Sequence, residues 1–349
     1  MKRIQTIKAP DAAAFQASKA HWDSIAKPLG SFGELERLIM KIAAVQGTPD
    51  VSIDNRTAVV FCADHGVVAE GVTQTDASVT AICAEAIACG RSNVNAIARQ
   101  FDTKVQAVDI GMLRHPDCEP LLDRRIAAGT HNIANGAAMS REEAVHAVTV
   151  GLDLARDLQA AGNALLLTGE MGIGNTTPTS AIASVLLGKP PAQVTGRGAG
   201  LSTEGLRRKV AAVERAIAVN APDPDDPLDI LAKLGGFEIA GMTGLFLGGA
   251  VYRIPVVIDG VISACAAALA CRIEPLCAGY ILPSHTSGEP AGEGLMALMG
   301  LHPVIDAGLR LGEGTGALLL LPLLEGALSL YRNAHRFDET PIERYTPQL

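Results

Sequence analysis

Short, unbroken apolar runs separated by longer Ala-rich stretches set the architecture of this chain. The runs are TAVVFCAD (57–64), TKVQAVDIG (103–111), NALLLTG (163–169), PVVIDG (255–260) and CAGYIL (277–282). A strand whose apolar residues are consecutive rather than alternate is one buried on both faces, as in a parallel sheet. Between the runs, residues 79–99, 140–161, 176–188, 203–220, 236–250 and 261–271 read as helices. Strand and helix in alternation give an α/β fold: a parallel, Rossmann-like sheet with helices on both faces. The 36 glycines suit its many tight strand-to-helix turns. In such a sheet, sites gather at the carboxyl ends of the strands.

The two ends of the chain read differently. Residues 14–46 carry apolar positions at helical spacing, most clearly in LGSFGELERLIMKIAAVQ (29–46), where Ser31 stands ready to cap and Glu34 follows three residues on. TPDVSIDNR (48–56) is a polar linker candidate. The strongly apolar stretch 314–334 predicts a last helix that returns to the N-terminal ones. The expected division is a small helical domain from 1–50 and 318–349, and a large α/β domain from 51–317. The polar segment 335–349 is expected to be a surface tail.

Composition narrows the function. With 349 residues, 48% of them hydrophobic, the chain can build a large core. Its net charge of −8, its lack of a basic run and its 3% aromatics argue against nucleic acid as a partner. No apolar run is long enough to span a bilayer, and the opening lacks a secretory signal. The expectation is a cytoplasmic protein with no membrane partner. Seven cysteines, an odd number with no CxxC pair, are expected to be reduced and mostly packed. The eight histidines are scattered, so no metal site is expected.

Four segments carry candidate chemistry. In LLLTGEMGIGNTTPTSAIASVL (165–186), Gly172 and Gly174 let the backbone curl ahead of a helix opened by Asn175, Thr176 and Thr177. Amides at a helix N-terminus favour an anion, so this turn is a candidate phosphate cradle. It is neither a Walker A loop nor a GxGxxG fingerprint, and the plain alternative is an ordinary βα turn. Glu170, inside the turn, suits ribose hydroxyls better than phosphate; otherwise it is an exposed loop acid. In VTGRGAGLSTEGLRRKV (194–210), a second Gly-rich turn leads to a helix bearing Lys209, which either reaches the same phosphate or is simply solvated. In GLRLGEGTGALLLL (308–321), Glu313 sits between two glycines before an apolar helix. Burial there would raise its pKa and suit it to general-base work; the alternative is a helix-opening Glu favoured by the dipole. In FCADHGVVAEGV (61–72), Asp64 and His65 end a strand and read best as a structural turn.

These segments, with KPLGSFGELE (27–36), ADHGV (63–67), GTHNIANGAAM (129–139), TGRGAGL (195–201), GGFEIAGM (235–242) and VVIDGVISACAAALA (256–270), resemble over nearly the whole chain the CobT family of nicotinate-nucleotide:5,6-dimethylbenzimidazole phosphoribosyltransferases. The resemblance implies a large sheet domain with a small helical one, and a dimer of two copies or of this chain with a paralogue. It implies nicotinate mononucleotide as donor, a lower-ligand base as acceptor, and no metal or cofactor. By resemblance, Glu313 is the general base, and Glu170, Gly172, Ile173, Gly174, Asn175 and Lys209 hold the phosphoribosyl group. Two stretches depart from the family pattern. GVTQTDASVTAIC (71–83) has Asp76 where the family has Pro, and Ala81 or Ile82 where it has a Gln. HTSGEPAGEG (285–294) departs as well. The expected acceptor pocket comprises Thr73, Ala81, Ile82, Leu311 and Gly312, with acceptor choice moved toward phenol or p-cresol. A non-catalytic paralogous subunit is the alternative, opposed by the retention of Glu313, Glu170 and Lys209. A kinase is opposed by the missing Walker A Lys.

Overall fold

All five apolar runs become strands of one sheet. The computed structural model describes residues 2–346; residue 1 and residues 347–349, at the outer ends of the predicted helical unit and tail, lie outside the described residues. The strands are β1 (Arg56–Ala63), β2 (Lys104–Gly111), β3 (Leu122–Asp123), β4 (Leu165–Met171), β5 (Val256–Val257) and β6 (Ile281–Leu282). They are parallel throughout and lie in the order β3-β2-β1-β4-β5-β6. The chain builds outward in one direction from β1 and then in the other from β4. The crevice at their carboxyl ends is the topological switch point of the sheet.

Side chains of β1 explain its unbroken run. Val59 and Phe61 enter one core layer, and Ala58, Val60 and Cys62 the other. Helices α1 (Ala12–Ser24) and α2 (Glu34–Gln46) precede β1; α3 (Ser78–Ala88) and α4 (Asn93–Gln100) link β1 to β2; α5 (Arg141–Ala160) leads into β4. Between β4 and β5 come α6 (Thr176–Leu187), α7 (Pro191–Val194), α8 (Thr203–Asn220), α9 (Pro227–Leu234) and α10 (Phe237–Tyr252). Then follow α11 (Val261–Ile273), α12 (Gly292–Leu298), α13 (Thr315–Leu319) and α14 (Leu321–Asn333). Residues of α5, α6, α10 and α11 fill the first layer, and residues of α2, α3, α4, α13 and α14 the second.

Helices from both termini meet in that second layer. Trp22 of α1 and Tyr331 of α14 lie 5.0 Å apart between ring centroids, and the Tyr331 hydroxyl donates to Ser18 Oγ at 3.2 Å and to the Pro49 carbonyl at 3.0 Å. The expected surface tail is partly tied down: Ala26 N–H donates to His335 O at 2.9 Å, Ile25 and Arg336 form an antiparallel bridge, and Phe337 is buried. An aromatic ring inside a polar segment anchored it.

Three local readings change. The stretch 79–99 is two helices, broken where Gly90 takes φ +74° and restarted by a capping box of Ser92 with Asn95. The stretch 314–334 is also two, divided at Leu320, two residues before Pro322. Ser31 caps nothing: α2 opens after Gly33 at φ +60°, and Glu36 Oε1 accepts from Phe32 N–H at 2.8 Å and Lys27 Nζ at 2.6 Å. All seven cysteines are free, four of them buried. Among the described residues no helix is long and apolar enough to cross a membrane.

The helix α10 carries the heaviest packing load. Every residue from Phe237 to Ala250 is buried, and its glycines bring it against α5 with no room between backbones. A β-carbon at Gly244 would stand 1.9 Å from Val148 O, and one at Gly151 would stand 2.0 Å from Gly241 O. Gly244→Ala must therefore push the two helices apart. A loss of about 1–3 kcal/mol is expected, as for other overpacked sites. Thermal unfolding checks it, and an unchanged midpoint would show that the helices can separate freely.

Candidate active site

At the end of β4 the chain turns through Gly172–Asn175 into α6. Only glycine fits at Gly172, where a β-carbon would lie 2.4 Å from Ala63 O, and Gly174 takes φ +92°. The turn is thereby pressed onto the end of β1. Ile173 N–H donates to Thr80 Oγ1 at 3.1 Å, and Thr177 N–H to Gly174 O at 2.9 Å. The amides of Gly174 and Thr176 donate to no other group among the described residues. They open α6 as the sequence predicted, offering N–H groups at a helix N-terminus to an anion.

A second turn closes on the first from the β5 side. Gly312, Glu313 and Gly314 take φ values of +83°, +62° and +89°. The turn lies directly over β4: a β-carbon at Gly169 would lie 2.7 Å from Glu313 O, and one at Gly312 would lie 2.6 Å from Glu170 Oε1. Between the turns is a cavity of about 460 Å³. Of the predicted residues, Glu313, Glu170, Gly172, Ile173, Gly174, Asn175, Thr73, Leu311 and Gly312 line it.

Three predicted residues stand elsewhere. Lys209 is fully buried behind the wall, its Nζ donating to Thr176 Oγ1 at 2.7 Å and to Gly196 O at 3.1 Å. Ala81 points into the core and Ile82 into solvent; neither lines the cavity. One residue is about 100° of helical turn, and along α3 that rotation brings Cys83 to the cavity instead. Asp64 and His65 also stay outside it. Asp64 Oδ2 accepts from Leu113 N–H at 2.8 Å, and His65 Nε2 lies 3.0 Å from the buried Glu238.

The wall includes residues the sequence reading passed over: Asp259, His285, Ser287, Glu289, Arg197 and Arg310. An acid closing the strand-like PVVIDG was a usable signal for Asp259. His285, Ser287 and Glu289 lie in HTSGEPAGEG, whose departure from the family pattern singles out no one side chain. Away from the cavity, Asp109, His115 and Asp123 bring ligand atoms within 4.8 Å of one another. Asp109 spends Oδ1 on the Gly111 and Met112 amides and Oδ2 on His115.

The electrostatics divide the two glutamates. Glu170 is buried, and loss of solvent pushes its carboxyl up to about 8; the charges of Asp259, Glu238 and Glu313 push the same way, while Asn175, which hydrogen-bonds it, opposes them. Burial lowers the Lys209 ammonium to about 8. Glu313 is half-buried rather than enclosed as expected, and its oxygens reach the start of α4: Oε1 accepts from Asn93 Nδ2 at 3.1 Å and Oε2 from Val94 N–H at 3.3 Å.

An amide cradle at the switch point of a parallel sheet, facing carboxylates across one cavity, suits transfer of a sugar phosphate. The sequence profile of the phosphoribosyltransferase family matches residues 7–342, and the protein is an enzyme of that class. The nicotinate-nucleotide–dimethylbenzimidazole phosphoribosyltransferase of Acetivibrio thermocellus is 44% identical over 327 residues, 94% of this chain and 93% of that one. The enzyme of the same name from Ruminiclostridium cellulolyticum is 42% identical over 344 residues, 99% of this chain and 98% of that one. The crystal structure of CobT from Thermus thermophilus superposes with a TM-score of 0.90 at 38% identity, covering 95% of this chain and all of that one. The chain belongs to the nicotinate-nucleotide–dimethylbenzimidazole phosphoribosyltransferase (CobT) family.

The raised Glu170 carboxyl has a measurable cost. Its folded value of about 8 lies above the ordinary 4.5, so the folded state holds the proton more tightly. The contribution to stability is complete below about 4.5 and is lost as pH rises through about 8. Glu170→Gln, neutral at every pH, should unfold close to wild type at pH 5 and at a higher temperature than wild type above pH 8. Parallel midpoint-against-pH curves for the two proteins would show that Glu170 is not held neutral.

Proposed function

We propose that this chain moves 5-phosphoribose from nicotinate mononucleotide to a cobamide lower-ligand base, releasing nicotinate and an α-riboside 5′-phosphate. The observation that carries the reading is the placement of the Gly172–Asn175 cradle and Glu313 on facing turns of one cavity. The donor's phosphate sits at the start of α6, where the Gly174 and Thr176 amides point. Lys209 adds positive charge through Thr176 from behind the wall. Glu170, buried in the cavity wall and protonated at neutral pH, meets the ribose hydroxyls. The names of the relatives support the donor and the benzimidazole acceptor.

In the transfer, the C1′–N bond to nicotinate breaks and takes its electron pair onto the ring nitrogen, whose positive charge it cancels. The acceptor attacks C1′ from the opposite face, which inverts β to α. Glu313 takes the proton the acceptor loses, and the fixed phosphate and base supply proximity. Glu313→Gln keeps the shape and removes the base. With purified chain, nicotinate mononucleotide and dimethylbenzimidazole, turnover should fall by roughly 10²–10⁴ while donor binding holds. Turnover near wild type would place the base elsewhere; no riboside phosphate from the wild-type chain alone would favour a subunit that needs a partner.

We read the acceptor end as the part of the cavity lined by Val72, Thr73, Cys83 and Leu311. Thr73 Oγ1 already donates to Thr75 O at 2.7 Å, so the wall offers an acceptor few polar groups. That favours acceptors with few polar atoms, phenol and p-cresol alongside dimethylbenzimidazole, since a buried polar group without a partner costs about 1–3 kcal/mol. With dimethylbenzimidazole and p-cresol in equal competition, both products are expected. Ribosylation of the benzimidazole alone would sink the widened specificity.

A further inference from the structure

Glu313 occupies a backbone conformation that a residue with a side chain rarely adopts, in a run of three consecutive left-handed residues. Such a run persists only where its surroundings over-determine it. The structure shows what does so. Asp259 Oδ1 accepts from Gly316 N–H at 2.8 Å and Ala317 N–H at 3.0 Å, and Oδ2 accepts from Gly314 N–H at 3.2 Å. One carboxylate thus gathers three amides that closely follow Glu313.

We propose that Asp259 is a positioning residue for the transfer, holding Glu313 in register with the acceptor by clamping the backbone of its turn. The inference rests on the reading of Glu313 as the base.

Asp259 is itself anchored to the sheet. Its N–H donates to Ser263 Oγ at 3.1 Å; that hydroxyl pairs with Thr168 Oγ1 at 2.6 Å, and Thr168 Oγ1 donates to Val257 O at 2.8 Å. The path runs from β4 and β5 through one carboxylate to the turn. His285 lies against the same turn, its Cε1 only 2.1 Å from where a β-carbon at Gly316 would be. Asp259 borders the cavity, yet amides take three of its roughly four acceptor positions. It is therefore poorly placed to bind ribose, and its effect passes through Glu313. The Asn93 and Val94 contacts hold the Glu313 side chain from the other side, so backbone and carboxylate are fixed separately.

A double-mutant cycle tests the clamp. Asp259 also bears on Glu170, which faces Glu238 and Glu313 too. The cycle is therefore run near pH 6, below the Glu170 value, so that Glu170 stays protonated in every variant. Asp259→Asn should lower kcat by roughly 10–100-fold, the scale of an ångström-sized misplacement, with KM for nicotinate mononucleotide unchanged. In a Glu313→Gln background the same substitution should cost less than about threefold, because the group it positions is already gone. A loss undiminished in that background, or a folded Asp259→Asn with wild-type kcat, overturns the inference. Wild-type turnover in Glu313→Gln alone overturns the base reading instead. Asp259→Ser, which keeps one acceptor oxygen in less volume, is judged by the same criteria. If neither variant folds, Asp259 serves the whole fold and the clamp is rejected.

Discussion

At Gly169 the centre of the sheet and the Glu313 turn come into backbone contact, and the geometry of the cavity depends on that approach. A β-carbon there would stand 2.7 Å from the Glu313 carbonyl, closer than any side chain tolerates. Because the residue is glycine, the 312–314 turn lies flat on β4, the strand that goes on to form the anion cradle. The two turns that face each other across the cavity are therefore referenced to one strand rather than to two loops. β4 is fixed in turn by β1 and β5 on either side, and the short loops at its end inherit that stiffness.

The same closeness produces the site's electrical character. Glu170, Asp259, Glu238 and Glu313 influence one another within a largely buried region, and separate devices keep them tolerable. Glu170 keeps its proton. Asp259 is bound by three amides. Glu238 faces His65, and Glu313 reaches the start of α4. Buried acids persist only when neutralised, hydrogen-bonded or paired, and the cavity wall with the core behind it uses all three means.

The main strands β1, β2 and β4 were readable because burial on both faces leaves an unbroken apolar run, a pattern no surface element shares. The glycine turns at 172–174 and 312–314 were readable because close approach and left-handed backbone both demand glycine. What escaped has physical reasons too. β3 has only two residues, Leu122 and Asp123, and owes its state to pairing with β2 rather than to its own composition. The break at Gly90 hides in Ala-rich sequence that favours helix on either side. Cys83, rather than Ala81 or Ile82, reaches the cavity from α3, because a helix rotates its face with each residue and the motif fixes no phase. Asp259 was overlooked because its partners lie 55–58 residues away.

The meeting of the chain's two ends bears on the order in which the molecule is made. His21 Nε2 donates to the carbonyl of Tyr331, 310 residues later, and the Trp22 ring meets the Tyr331 ring of the same C-terminal helix. α1 and α2 can thus pack on each other early, but their packing is completed only by α14. Until α14 emerges, the Trp22 indole lacks its Tyr331 cover, while β1, β2 and β4 can already pair. At translation rates of about 5–20 residues per second, that wait lasts on the order of 15–60 seconds. The sheet is the early product of synthesis, and the joined termini are its closing latch.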